Sequence, residues 1–134
     1  STRIALMMKA PAITRPGGVC RRPVSLLDIY PTLVELSGGA PVPALEGTSL
    51  VPLLRDPGAA SSRAVVTTWL QHQAVRSERW RYIRYGDGSE ELYDHEADPE
   101  ESVNLAGKAE SAEAKRDLAS WLPEYKIPVD PKLR

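Results

Sequence analysis

Residues 39–62, GAPVPALEGTSLVPLLRDPGAASS, divide the chain in two. Proline removes a backbone donor and fixes φ, and glycine favours turns, so neither a long helix nor a central strand runs through such a stretch. One short helical turn fits, around Ser49 to Leu54. The sequence therefore predicts two structural units, residues 1–60 and 61–134. With 134 residues, the chain suits one domain, or one small domain plus part of another. Such a chain can bury roughly two thirds of its unfolded surface.

Before the break, Arg3 to Lys9 is nearly continuous in apolar residues, which predicts a strand buried on both faces. Its neighbours would precede Ser1, so the opening reads as a cut edge. Pro11, Pro16, Gly17 and Gly18 make a loop. Ser25 is an N-cap, with Asp28 in the capping-box position. Leu26, Ile29, Tyr30, Leu33, Val34 and Leu36 follow helical spacing, and Gly38-Gly39 end the helix. Pro31 inside this pattern predicts a kink or a restart.

After the break the pattern becomes β-prone. Ala64 to Leu70, Ala74 to Ser77, Trp80 to Tyr85 and Glu91 to Asp94 read as short strands, with GDGS as a hairpin connection between the last two. Ala114, Leu118, Trp121 and Leu122 mark one face of a helix that Pro123 terminates. The tail, IPVDPKLR, reads as irregular. No internal repeat is present.

The formal net charge is −1, so no global bias points to nucleic acid or to a membrane surface. No apolar run approaches the ~20 residues that span a bilayer, and no signal peptide is visible. The single cysteine, Cys20, excludes an internal disulfide framework and leaves the redox compartment open.

Three stretches together resemble the C-terminal portion of the type I, formylglycine-bearing sulfatases. RPVSLLDIYPTLVELSGG is similar to the family's Ser-x-x-Asp-x-x-Pro-Thr helix. LEGTSLVPLL is similar to its Gly-x-Ser-Leu-x-Pro-Leu-Leu turn. AVRSERWRYIRY followed by ELYDHEADPEESVNLA is similar to its closing Leu-Tyr-Asp, Asp-Pro-x-Glu and Asn-Leu pattern. Order and spacing fit over nearly the whole chain, and the wording is nearest to bacterial sulfatases similar to iduronate-2-sulfatase. The resemblance implies an α/β, alkaline-phosphatase-like fold. This chain would give the last part of the large α/β sheet and a small antiparallel sheet covered by a C-terminal helix.

In that family a Cys/Ser-x-Pro-x-Arg motif supplies the oxidised nucleophile, and a divalent cation, usually calcium, polarises the sulfate. Around Cys20 the order is Cys-Arg-Arg-Pro-Val: the proline comes one place late and Val24 replaces the arginine. Cys20 therefore reads as scaffold, a small semi-buried thiol. The resemblance places the calcium ligands and the catalytic lysine and histidine upstream of Ser1. It implies no catalytic residue, metal ligand or cofactor in this chain. The partner would be the N-terminal catalytic part, the substrate a sulfated glycan, and the location periplasmic or secreted.

His72 and Gln73 are the candidate substrate-binding residues, because in the resembling sulfatases the loop before Ala-Val-Arg reaches over the active-site mouth. A histidine often directly precedes Ala-Val-Arg there. Here Gln73 holds that place and His72 stands one earlier, which in a strand turns it to the opposite face. Neither His72 nor His95 has a second ligand at metal-binding spacing. Five arginines and Trp80, Tyr82 and Tyr85 between Arg63 and Tyr85 could suit a nucleic-acid reader. The acidic stretch Asp87 to Glu101 instead predicts ion pairs on neighbouring strands, Arg76 with Asp94 among them. DHEADPEE lacks calcium-loop ligand spacing and reads as a structural clasp, with Asp98-Pro99 opening a turn that Asn104 and Leu105 anchor. Two other readings stay open: a stand-alone module that binds anions or glycans, and the remnant of a disrupted sulfatase gene.

Overall fold

The computed structural model describes residues 4–124. The chain forms two compact units, Ser1–Ser61 and Ser62–Arg134. The expected irregular tail, 127–134, lies outside the described residues.

In the first unit the Ser25 side chain caps a 3-10 turn, Leu26–Asp28, and the capping box is complete: the Ser25 N–H donates to Asp28 Oδ2 at 2.7 Å. The chain then passes directly into helix α1, Ile29–Leu36. The restart expected at Pro31 is not found there: α1 begins two residues before the proline and continues through it. Standing in the first turn of α1, where backbone N–H groups have no intrahelical acceptor, the proline breaks no helical bond. Gly38, at φ +77°, ends the helix, and the Gly39 N–H returns to Val34 O at 2.9 Å.

The proline-rich stretch holds one short helix, α2, Val51–Arg55. Two buried polar side chains of the α1 region tie it down. Asp28 Oδ1 accepts from the Thr48 N–H at 2.9 Å, and Thr32 Oγ1 accepts from the Leu50 N–H at 2.8 Å. Both Asp28 and Thr32 are fully buried. The close approach requires Gly47, where a Cβ would overlap the Leu27 carbonyl oxygen. The first two sequence stretches that resemble the sulfatases are thus bonded to each other.

The expected strand from Arg3 to Lys9 does not form: residues 4–9 carry no regular secondary structure. A strand needs a neighbour to take its backbone hydrogen bonds, and no described residues pair with this one. Its side chains are correspondingly exposed, Met7 most of all at 91%. Cys20 is exposed rather than semi-buried, because the loop around it packs no apolar cover over the thiol.

The second unit is an antiparallel sheet in the order β1-β2-β3-β4, made of Val65–Trp69, His72–Arg76, Trp80–Arg84 and Glu90–Asp94. Val66, Val75, Tyr82 and Leu92 stand in register across the four strands. Helix α3, Ala112–Ala119, brings Leu118 onto this row, with Leu122 just beyond the helix. Val75, Tyr82 and Leu92 are fully buried, and this helix-covered face is the core. Trp121 departs from the expected helical face and is 46% exposed. The helix ends at Ala119, two residues earlier, so helical phase no longer sets its direction.

The clasp after β4 forms as the sequence implies. The β4 strand is an edge, with backbone groups that would otherwise be left unpaired. Asn104 Oδ1 accepts from the Leu92 N–H at 3.1 Å, and Asn104 Nδ2 donates to Glu90 O at 3.1 Å. The Leu105 N–H donates to Leu92 O at 2.8 Å. Asp98 Oδ2 accepts from the Val103 N–H at 2.8 Å, closing the turn.

Candidate functional site

Side chains alternate along a strand, so the sheet has a second face opposite α3. Its end at the β1–β2 turn carries an aromatic cluster. Trp69 and His72 are register partners across that turn. Their rings stack with centroids 5.7 Å apart and planes 20° from parallel. Tyr85 meets His72 edge-on at 5.6 Å. Leu70, inside the turn, takes a left-handed φ of +53°, an uncommon conformation for a branched side chain.

Backbone geometry sets the imidazole's proton. The Gly86 N–H, which can only donate, points at His72 Nδ1 from 3.3 Å. In neutral His72 the proton therefore resides on Nε2, which presents a donor. Trp69 is 69% exposed, and His72 covers only one face of its indole.

Gln73 points the other way, as the single-residue offset requires. It is buried on the α3 side, where its Oε1 accepts from Arg84 Nη2 at 2.7 Å and its Nε2 donates to Pro123 O at 3.1 Å. Both ends of its amide serve the packing of sheet against helix. The structure thus separates the two sequence-predicted site residues: His72 joins the aromatic cluster, while Gln73 joins the core. Sequence reasoning missed Trp69 and Tyr85. The available signal was a tryptophan three residues before the histidine, which becomes a neighbour only when a two-residue turn fixes the register.

The arginines of the sheet are largely engaged. Arg79 grips Asp94 through two bonds, Nε to Oδ1 at 3.0 Å and Nη2 to Oδ2 at 2.6 Å, and lies 4.8 Å over the Trp80 ring. Arg79, not Arg76, thus makes the two-pronged pair. It immediately precedes Trp80, the register partner of Asp94, whereas Arg76 stands two strands away. Bonding to Arg79 holds the Asp94 carboxyl below its ordinary range.

Arg76 Nη2 donates to His95 Nδ1 at 3.1 Å, and His95 Nε2 lies 2.7 Å from Glu101. Arg81 also bonds Glu101, at 3.0 Å. Burial pushes the Glu101 carboxyl upward, but its bonds to Arg81 and His95 outweigh this and lower it.

A cavity of about 390 Å³ lies beside α3, lined by Trp80, Trp121, Glu110, Glu113 and Asp117 among others. Three carboxylates on its wall oppose a sulfated anion. Among the described residues no three His, Cys, Asp or Glu side chains converge to hold a metal ion. The carboxylates of Asp94, Glu101 and Glu90 already face Arg79, Arg81 and Lys115. These residues do not fit the several free oxygen ligands that a calcium cage needs.

The profile of the family described as N-sulphoglucosamine sulphohydrolase, C-terminal, matches residues 1–127. The chain belongs to this sulfatase family. A sulfatase from Formosa agariphila is 34% identical over 92% of the chain and 24% of its own length. Arylsulfatase K from Xenopus laevis is 30% identical over the whole chain and 26% of its own length. Among solved structures, a protein from Bacteroides thetaiotaomicron described as a putative sulfatase superposes with a TM-score of 0.62, at 29% identity, over 78% of this chain and 27% of that one. The sulfatase segment therefore spans about a quarter of the length of the relatives it matches. Its likeness to iduronate-2-sulfatase remains one of sequence wording, since these relatives carry other names. No described helix of the sulfatase segment is long and apolar enough to cross a membrane.

Proposed function

We propose that the segment works as the C-terminal part of a sulfatase that hydrolyses sulfate esters on glycans, joined to an N-terminal part that supplies formylglycine and calcium. The profile match across residues 1–127, which takes in both units, carries this reading. The glycan substrate is supported by two similar proteins. One was solved with its substrate D-glucosamine-2-N,6-O-disulfate, at 26% identity and a TM-score of 0.62. The other is a 2-O glycosaminoglycan sulfatase, at 31% identity and a TM-score of 0.59. The same reading makes the protein periplasmic or secreted.

In this proposal His72 is the substrate contact of the segment. Its Nε2–H is held as a donor by the Gly86 N–H on the opposite nitrogen. A donor of this kind orients a sugar hydroxyl or sulfate oxygen while the reacting groups are supplied elsewhere. Gln73 acts behind it, holding β2 to β3 and to the end of the α3 region.

The test begins with the reading frame upstream of Ser1. A continuous frame that encodes Cys/Ser-x-Pro-x-Arg supports the proposal; a stop codon followed by a nearby start codon favours the module or remnant readings. The full-length protein, coexpressed with a formylglycine-generating enzyme, should then release sulfate from an aryl sulfate and from sulfated oligosaccharides. His72→Ala should raise KM for the sugar substrates more than it lowers kcat. Absence of sulfate release from every ester tried, with the modified residue verified by mass, would refute the sulfatase reading.

A further inference from the structure

Trp69 is the most exposed tryptophan side chain for which the fold provides a rigid mount. It closes β1 directly before the turn, its backbone is fixed by pairing with His72, and the imidazole is stacked on one face of the indole. The opposite face is open, with the side chain 69% exposed. Behind it, Tyr85 braces the imidazole edge-on. The β1–β2 turn packs against the connection that follows β3. Gly86 lies so close to Gln71 that a Cβ there would stand 2.7 Å from the Gln71 Cβ.

A flat, preorganised aromatic face beside a fixed N–H donor matches the chemistry of a pyranose ring. One sugar ring can lay a face of C–H bonds on the open side of the indole, while the imidazole on its other side donates to a hydroxyl or sulfate oxygen of the neighbouring ring. A surface already held in its binding geometry reduces the ordering cost of binding. A purely anionic ligand would call for free cations instead. The arginines on this side of the sheet, Arg76 and Arg81, already bond His95 and Glu101, and Arg84, at the same end of the sheet as the cluster, bonds Gln73.

We infer that the open face of Trp69 is a sugar-stacking platform for a second ring of the glycan, next to the ring that His72 contacts. This rests on the sulfatase reading above and deepens it. The substrate is then an oligosaccharide chain bound through at least two sugar units.

The test uses the full-length protein on an array of mono- to tetrasaccharides prepared from heparin, chondroitin sulfate, ulvan and carrageenan. The wild-type protein should retain di- and longer oligosaccharides of at least one class more tightly than its monosaccharide. Trp69→Ala should weaken that retention by about ten- to thirtyfold, the range typical of truncating a tryptophan anchor. Trp69→Phe should recover most of it, because a smaller aromatic face still stacks.

Retention that is independent of Trp69 in every class would overturn the platform. So would a large fall in the melting temperature of Trp69→Ala with sugar retention unchanged, since that assigns the ring to an internal interface. A protein that binds oligosaccharides through Trp69 but releases no sulfate would keep the platform and refute the sulfatase reading. Sulfate release with Trp69-independent binding would do the reverse.

Discussion

The carboxylate of Asp28 accepts the backbone N–H of Thr48 at 2.9 Å, across a separation of twenty residues. With its other oxygen it holds the Ser25 N–H, and the whole side chain is buried. One residue thus caps a helix start and fastens the proline-rich stretch against it. A buried donor left without an acceptor costs about 1–3 kcal/mol.

Asp28→Ala should therefore lower the stability of the first unit by roughly 2–4 kcal/mol, from two stranded backbone donors. Asp28→Asn should cost somewhat less, because its carbonyl oxygen can still accept one of the two bonds. Urea unfolding of the full-length protein, followed by a probe in this unit, measures both. An unchanged midpoint in Asp28→Ala would show that water replaces the carboxylate at no cost.

Much of this was legible in the sequence because its causes are local. Ser25 and Asp28 sit three apart, and the glycine pair follows a helical repeat, so cap, helix and stop could be read directly. The four strands emerged from β-branched and aromatic runs divided by turn residues. Contacts set by register were not legible. Arg79 replaced Arg76 as the partner of Asp94 because the β2–β3 turn places it beside the end of β4. Trp69 and His72 became a stack only through the β1–β2 turn. Residues 4–9 failed as a strand because pairing is a property of neighbours, and composition does not report on neighbours.

Asn104 should behave as a cover for the sheet's edge. It satisfies the Leu92 N–H and the Glu90 carbonyl on β4, and its Oδ1 also accepts from the Ala106 N–H at 2.9 Å. Asn104→Ala should cost about 1–3 kcal/mol, the sum of several modest hydrogen bonds. It should also speed amide exchange at Leu92 and increase association on mild heating, as a bare strand edge recruits other chains. Asn104→Asp, which keeps Oδ1 as an acceptor but loses the donor to Glu90, should fall between wild type and Asn104→Ala.

The second unit should lose stability at both ends of the pH scale. Lys115 donates to Glu90 at 2.8 Å, and this bond, aided by one from the Tyr82 hydroxyl, holds the Glu90 carboxyl below its ordinary range. A depressed carboxyl stabilises the fold above its unfolded value, about 4.3. That contribution is lost as pH falls through the lower folded value. Tyr82 is shifted the opposite way, to about 12, mainly by burial and next by its bond to Glu90. Its contribution is full below its unfolded value of about 10 and is lost as pH rises towards 12. Circular dichroism across pH should show Lys115→Met unfolding at a higher pH than wild type on the acid side. Difference absorbance in the tyrosinate band against Tyr82→Phe should show one phenol that ionises only as the sheet unfolds.

Hydrogen exchange should separate the core of the sheet from the opening of the chain. Ile83 and Leu92 lie in β3 and β4, paired with neighbours on the sheet and, for Leu92, with Asn104. Ala5 and Leu6 have no strand around them, and both are exposed. In this segment alone, the amides of Ile83 and Leu92 should exchange slowly and those of Ala5 and Leu6 at nearly the rate of an unfolded peptide. The full-length protein provides the decisive contrast. If residues 4–9 complete a parallel sheet there, the Ala5 and Leu6 amides should become protected by orders of magnitude while Ile83 changes little. Fast exchange at Ala5 and Leu6 in both proteins would mean that the apolar run has no strand partner at all. Its exposed side chains, Ile4 and Met7 foremost, would then need a different explanation.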